Sequence, residues 1–202
     1  MLIILGYPRS GSTMMQYLLE QAWPTTFLTM PTTKKVHGHD MINSSHNSIS
    51  HNHSLLMILR DYKECILSHL TRDNDQCDLQ KVDAAFVEYV KVLEVYEKSE
   101  ANKTLVYYED LITDAGLAHE LKRIGNHFNL MVDSIIRNLY HYRARAMQNY
   151  VNELGATQTT GQEKVHFAPL TANHCFDWDQ TMRDMNPLLY DKYLVHYGVN
   201  NE

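Results

Sequence analysis

The sequence has few cysteines and no long apolar run. Its three cysteines, Cys65, Cys77 and Cys175, have no CxxC spacing. They indicate free thiols in a reducing compartment rather than a disulfide framework. No apolar run approaches the roughly 18 residues that a membrane span needs. Since the first apolar run already starts at Leu2, we expect no signal peptide and a cytoplasmic location.

Basic residues are not in excess. With a net charge of −6, the protein lacks the broad positive field of a general nucleic-acid binder. We therefore expect neither nucleic acid nor a membrane as partner. An anionic nucleotide is still compatible with this charge, because Arg9, Lys34, Lys35 and Arg60 supply local positive potential. The composition, 44% apolar and 21% charged, is ordinary for a globular protein.

Three short apolar runs, residues 2–5, 55–59 and 104–108, predict buried strands. Apolar residues at helical spacing predict helices, among them residues 78–100 and one helix that starts at residue 132 and reaches residue 142 or beyond. Strands and helices alternate in the first half of the chain, which predicts an α/β protein with a central, mainly parallel sheet flanked by helices. No repeat or linker divides the sequence, so we expect one domain over residues 1–202.

Glycines and small polar residues follow the first predicted strand in the order of a phosphate-binding loop. Gly6 and Gly11 are separated by four residues and are followed by Ser12 and Thr13. Backbone N–H groups of such a loop and the next helix can hold phosphate. The lysine of a nucleotide triphosphatase is replaced by Ser12, and the basic residue of the loop is Arg9. The ligand is therefore expected to carry phosphate without being simply ATP.

The heptapeptide Tyr-Pro-Arg-Ser-Gly-Ser-Thr at residues 7–13 resembles the 5′-phosphosulfate loop of sulfotransferases. The resemblance implies a three-layer P-loop fold and the donor 3′-phosphoadenosine-5′-phosphosulfate, whose sulfuryl group passes to a hydroxyl or amine of a small-molecule acceptor. It further implies that no metal is needed. The residues that it assigns to the donor in this loop are Arg9, Ser10, Gly11, Ser12 and Thr13.

Two further segments resemble donor-binding elements of the same family. Arg60 ends the second predicted strand, and Ser68 follows eight residues later; the matching residues of sulfotransferases bind the 3′-phosphate. The stretch Tyr-Glu-Asp-Leu at residues 108–111 resembles an element whose tyrosine approaches the adenine, which assigns that role to Tyr108. Glu109 and Asp110 are expected to cap the next helix or to hold the loop.

Lys35-Val36-His37 resembles the family's Lys-Thr-His element. Sulfuryl transfer needs a base for the acceptor proton and cations for the charge on the leaving oxygen. The resemblance makes His37 the base and Lys35 and Arg9 the charge stabilisers. His39 lies two residues on and is an alternative base, and a carboxylate elsewhere is another.

The chain also departs from the family. Met14 stands where cytosolic members have a tryptophan, and the Arg-Lys-Gly element near their C-terminus has no copy, although residues 161–164 (Gly-Gln-Glu-Lys) are a candidate substitute. Asp177-Trp178 matches the family's following Asp-Trp. Variable loops, here residues 38–54 and 140–175, are expected to form the acceptor pocket. Neither the acceptor nor the oligomeric state follows from the sequence.

Twelve histidines, five of them at positions 37 to 53, raise the question of a metal site. No HExxH or Cys/His ligand spacing occurs, and the stretch is rich in Asn and Ser, so we interpret it as a solvated loop. Two other functions remain open. One is a small P-loop kinase with Asp61 as magnesium ligand, and the other is a non-catalytic nucleotide-binding module of the same fold.

Overall fold

A parallel four-stranded sheet organises the computed structural model, which describes residues 2–20, 34–37, 53–70, 79–154 and 177–198. The strands follow the order β2-β1-β3-β4, and every neighbouring pair is parallel. Parallel neighbouring strands must be joined by crossover connections, which are usually helices. The alternation of strands and helices in the sequence therefore predicts this arrangement. The strands are β1 (Leu2–Gly6), β2 (Lys34–His37), β3 (Ser54–Leu59) and β4 (Asn102–Tyr107).

Helices follow β1, β3 and β4 and dominate the described part of the second half of the chain. After β4, a 3₁₀ turn (Tyr108–Leu111) leads into the helical region. The helices are α1 (Ser12–Glu20), α2 (Tyr62–Leu70), α3 (Leu79–Lys98), α4 (Asp114–Phe128), α5 (Asp133–Arg137), α6 (Leu139–Leu154) and α7 (Trp178–Met185). Residues 187–198 form a C-terminal segment of short helical pieces, the middle one of π type (Tyr190–Leu194).

Apolar side chains cover both faces of the sheet. Along β1, Ile3 and Leu5 belong to one buried cluster and Leu2 and Ile4 to another. The first cluster contains side chains of α2, α3, α7 and the C-terminal segment, and the second contains those of α1, α4, α5 and α6. A sheet buried on both faces is typical of parallel sheets between helices. The α/β prediction is therefore confirmed.

The structure corrects the boundaries of two predicted elements. The helix predicted to run on from residue 132 is broken at Asn138, which lies between α5 and α6 and has a non-helical backbone (φ −123°, ψ 37°). β4 ends at Tyr107, one residue earlier than predicted, because Tyr108 already belongs to the 3₁₀ turn. Within the described part of the chain, none of the helices combines the length and apolarity of a membrane span.

Candidate functional site

The loop between β1 and α1 is a tight turn at the carboxyl edge of the sheet. Arg9 and Gly11 both adopt positive φ, 74° and 90°, and the Ser10 N–H donates to the Tyr7 carbonyl over 3.1 Å. α1 begins directly afterwards at Ser12, with no acidic residue in its first turn. A loop of this kind at a helix N-terminus offers N–H groups and a positive dipole end to an anion.

Two glycines allow this loop to be so compact. A Cβ on Gly11 would lie 2.8 Å and 2.9 Å from the Cδ2 and Cε2 atoms of Tyr108, and one on Gly6 would collide with Ser10 Oγ. The Ser10 hydroxyl is buried and has no hydrogen-bond partner among the described residues. Glycine is therefore required by the close approach at both positions, and at Gly11 by its φ as well.

The side chain of Arg9 connects the loop with helix α2. Its Nε donates to Ser68 Oγ over 3.0 Å. These residues are 59 positions apart in the chain and were assigned to different parts of the donor. The fold brings them into direct contact, so the guanidinium of Arg9 and the Ser68 hydroxyl lie together beside the loop.

Arg60 lies beside the same loop. Its Nη1 donates to the Arg9 carbonyl over 3.0 Å. Its Nε and Nη2 donate to Glu64 Oε2 over 3.0 Å and 2.6 Å. The guanidinium carbon lies 4.4 Å from the centre of the Tyr108 ring. Burial lowers the pKa of Arg60, but the hydrogen bond to Glu64 and the charges of neighbouring groups together raise the pKa above the ordinary value. The Arg60 carbonyl accepts a 2.6 Å bond from the buried Tyr89 hydroxyl. The guanidinium is thus held charged and oriented at the site.

The backbone register places the Lys-Val-His segment at the same edge of the sheet. β2 pairs with β1, Lys35 opposite Ile4 and His37 opposite Gly6, the residue at which the loop begins. His37 is therefore the last residue of β2, next to the loop. The alternative base His39 lies outside the described residues. Residues 38–52 and 155–175 of the predicted acceptor loops, which include the candidate 3′-phosphate substitute at 161–164, also lie outside them.

Acidic residues near the site have defined structural partners. Asp61 Oδ1 accepts the Lys63 N–H over 2.8 Å at the start of α2, and burial raises the pKa of Asp61, although this hydrogen bond opposes the shift. Thr113 caps α4 through the Gly116 N–H, and Glu109 holds the loop instead by accepting from the Tyr197 hydroxyl over 2.8 Å.

Across the described residues, no group of three or more His, Cys, Asp or Glu side chains is arranged to hold a metal ion.

Sequence reasoning missed two residues of this arrangement. Glu64 lies in α2, four residues after Arg60, which precedes the helix. The spacing of opposite charges across this helix start is a readable signal. Tyr197 is 88 residues from Glu109, and no local pattern connects the two.

No protein-family model matches this chain, and no curated protein sequence shows a significant match to it.

Proposed function

We propose that this protein is a sulfotransferase of the P-loop fold that uses 3′-phosphoadenosine-5′-phosphosulfate and sulfates a hydroxyl or amine of a small molecule. One observation carries the proposal. Three separate motifs meet at the loop after β1. They contribute Arg9, the pair Arg60 and Ser68, and Tyr108. The low cysteine content and the buried free thiol of Cys65 suit a reducing cytoplasm.

Each part of the donor has a counterpart among these residues. The backbone N–H groups of residues 9–13 and the start of α1 are suited to the 5′-phosphosulfate. Arg60 and Ser68 are suited to the 3′-phosphate, since a guanidinium and a hydroxyl both donate to phosphate oxygens. Tyr108 supplies a ring for the adenine. Arg9 lies between the loop and Ser68, so its charge serves both anionic groups.

The reaction follows from these roles. The acceptor oxygen or nitrogen attacks sulfur, and the bond between sulfur and the bridging oxygen of the 5′-phosphate breaks. His37 takes the acceptor's proton, while Lys35 and Arg9 stabilise the negative charge on the leaving oxygen. The products are the sulfated acceptor and adenosine 3′,5′-bisphosphate. These cations carry the charge that magnesium carries in a kinase.

The assignment of Arg60 is tested by ligand selectivity. Adenosine 3′,5′-bisphosphate and 5′-AMP are titrated calorimetrically into the wild type and Arg60→Ala. We expect the wild type to prefer the bisphosphate at least about tenfold, since a hydrogen bond to a charged group contributes about 1.5–3 kcal/mol, and Arg60→Ala to lose that preference. Equal wild-type affinity for the two ligands contradicts the proposal.

A further inference from the structure

The C-terminal segment, residues 187–198, contacts the residues on both sides of Tyr108. The Tyr197 hydroxyl donates to Glu109 Oε2 over 2.8 Å. The His196 ring meets the Tyr107 ring edge-on at 4.7 Å between centres, and Tyr197 lies 6.3 Å from the same ring. The chain is therefore held immediately before and immediately after Tyr108.

Tyr108 itself faces the loop. Its Cδ2 and Cε2 atoms limit the space at Gly11, and its ring lies under the Arg60 guanidinium. A shift of the 3₁₀ turn would therefore change three things together: the position of the ring, the room above Gly11 and the support of Arg60. The turn is short, four residues, so its own hydrogen bonds constrain it little.

Tyr197 is a buried residue that anchors this turn. It is 7% exposed and belongs to the apolar cluster on the α2 and α3 face of the sheet. Burial and the nearby Glu109 carboxylate raise the pKa of Tyr197, so its hydroxyl keeps the proton that it donates. Hydrogen bonds from a neutral donor to a carboxylate are stronger than bonds between neutral groups.

We infer that Tyr197, acting through Glu109, is a positioning residue that holds Tyr108 where it binds the base of the nucleotide. The inference rests on the proposed function and extends it. The sequence has no copy of the Arg-Lys-Gly element that binds phosphate in sulfotransferases. The inference gives the C-terminal segment a different role, on the base side of the site. In this inference Tyr197 acts through Glu109 and Tyr108 and makes no contact of its own with the nucleotide.

The test compares a ligand that has a base with one that has none. Adenosine 3′,5′-bisphosphate and pyrophosphate are titrated into the wild type, Tyr197→Phe and Glu109→Gln. We expect both variants to bind the bisphosphate about five- to tenfold more weakly and pyrophosphate within about twofold of the wild type. Tyr193→Phe is the matched control, because it removes another phenol–carboxylate bond of the same segment, that to Glu97, and it should change neither affinity.

A double-mutant cycle separates positioning from general stabilisation. In a Tyr108→Ala background, Tyr197→Phe should cause no further loss of bisphosphate affinity. An equal loss for both ligands, an undiminished bisphosphate affinity, or an additive effect with Tyr108→Ala overturns the inference while leaving the sulfotransferase proposal standing. A wild type that does not bind the bisphosphate overturns both.

Discussion

Arg9 has an unusual backbone conformation for a residue other than glycine. A φ of 74° is left-handed, and an L residue other than glycine adopts it at a cost of about 1–2 kcal/mol. The bond from Arg9 Nε to Ser68 and the bond from Arg60 Nη1 to the Arg9 carbonyl hold this conformation. Such strain is concentrated at functional sites, which supports a role for the loop beyond a simple strand-to-helix turn.

The assignment of His37 as the general base can be tested by single substitutions. His37→Ala should keep the affinity for adenosine 3′,5′-bisphosphate and lose about 10²–10⁴-fold in the rate of sulfuryl transfer, because removing a general base affects the chemical step and not donor binding. The measurement is the transfer rate to a panel of phenols, alcohols and amines, and His39→Ala is the paired control.

Other outcomes reassign the base. An inactive His39→Ala beside an active His37→Ala moves the base two residues along the chain. Activity in both variants makes a carboxylate the next candidate. A wild type that binds the bisphosphate but transfers nothing supports the non-catalytic module.

At the scale of elements, the end of helix α3 has a cap from the strand that follows it. Lys103 Nζ, on β4, donates to the carbonyls of Tyr96, Glu97 and Ser99, each over 2.8 Å. These carbonyls lie at the negative end of the helix dipole, where a cation is favourable. Lys103 is the second residue of β4, which leads directly to Tyr108.

Removing this cap should destabilise the protein. We expect Lys103→Met to lower the free energy of unfolding by about 1–2 kcal/mol, measured by urea denaturation. Lys98→Met is the matched control, because it removes a surface pair with Glu94 whose i, i+4 type contributes about 0.3–0.5 kcal/mol. Equal effects of the two substitutions would show that the three carbonyl bonds add nothing to stability.

The elements differ in how far the sequence predicts them. β1, β3 and β4 were predictable because short apolar runs indicate buried strands, and α3 because its apolar residues recur at helical spacing. β2 was not predicted as a strand, because its sequence Lys-Lys-Val-His contains no apolar run. The break at Asn138 was not predictable, since Ile135, Ile136 and Leu139 continue the helical pattern across it. Burial of Ile135 and Leu139 in the same cluster shows that one apolar face serves two successive helices.

At the scale of the whole molecule, parallel strands bring the motifs together. Gly6, Arg60 and Tyr108 each lie at or just after the carboxyl end of a strand, and all strands of the described sheet point the same way. Their meeting at one edge is therefore predictable from the sequence. The docking of the C-terminal region was not, because the bonds that Tyr62 and Lys63 donate to Asp179 and that Tyr197 donates to Glu109 join residues far apart in the chain.

The measurement that tests the central claim most directly is a calorimetric titration of the wild type with adenosine 3′,5′-bisphosphate in EDTA, beside ATP with magnesium. We predict that the bisphosphate binds without a divalent ion and more tightly than ATP with magnesium, since Arg9, Lys35, Arg60 and backbone N–H groups supply the positive charge. Binding of ATP that strictly requires magnesium, with no binding of the bisphosphate, would contradict the account and favour a kinase with Asp61 as metal ligand.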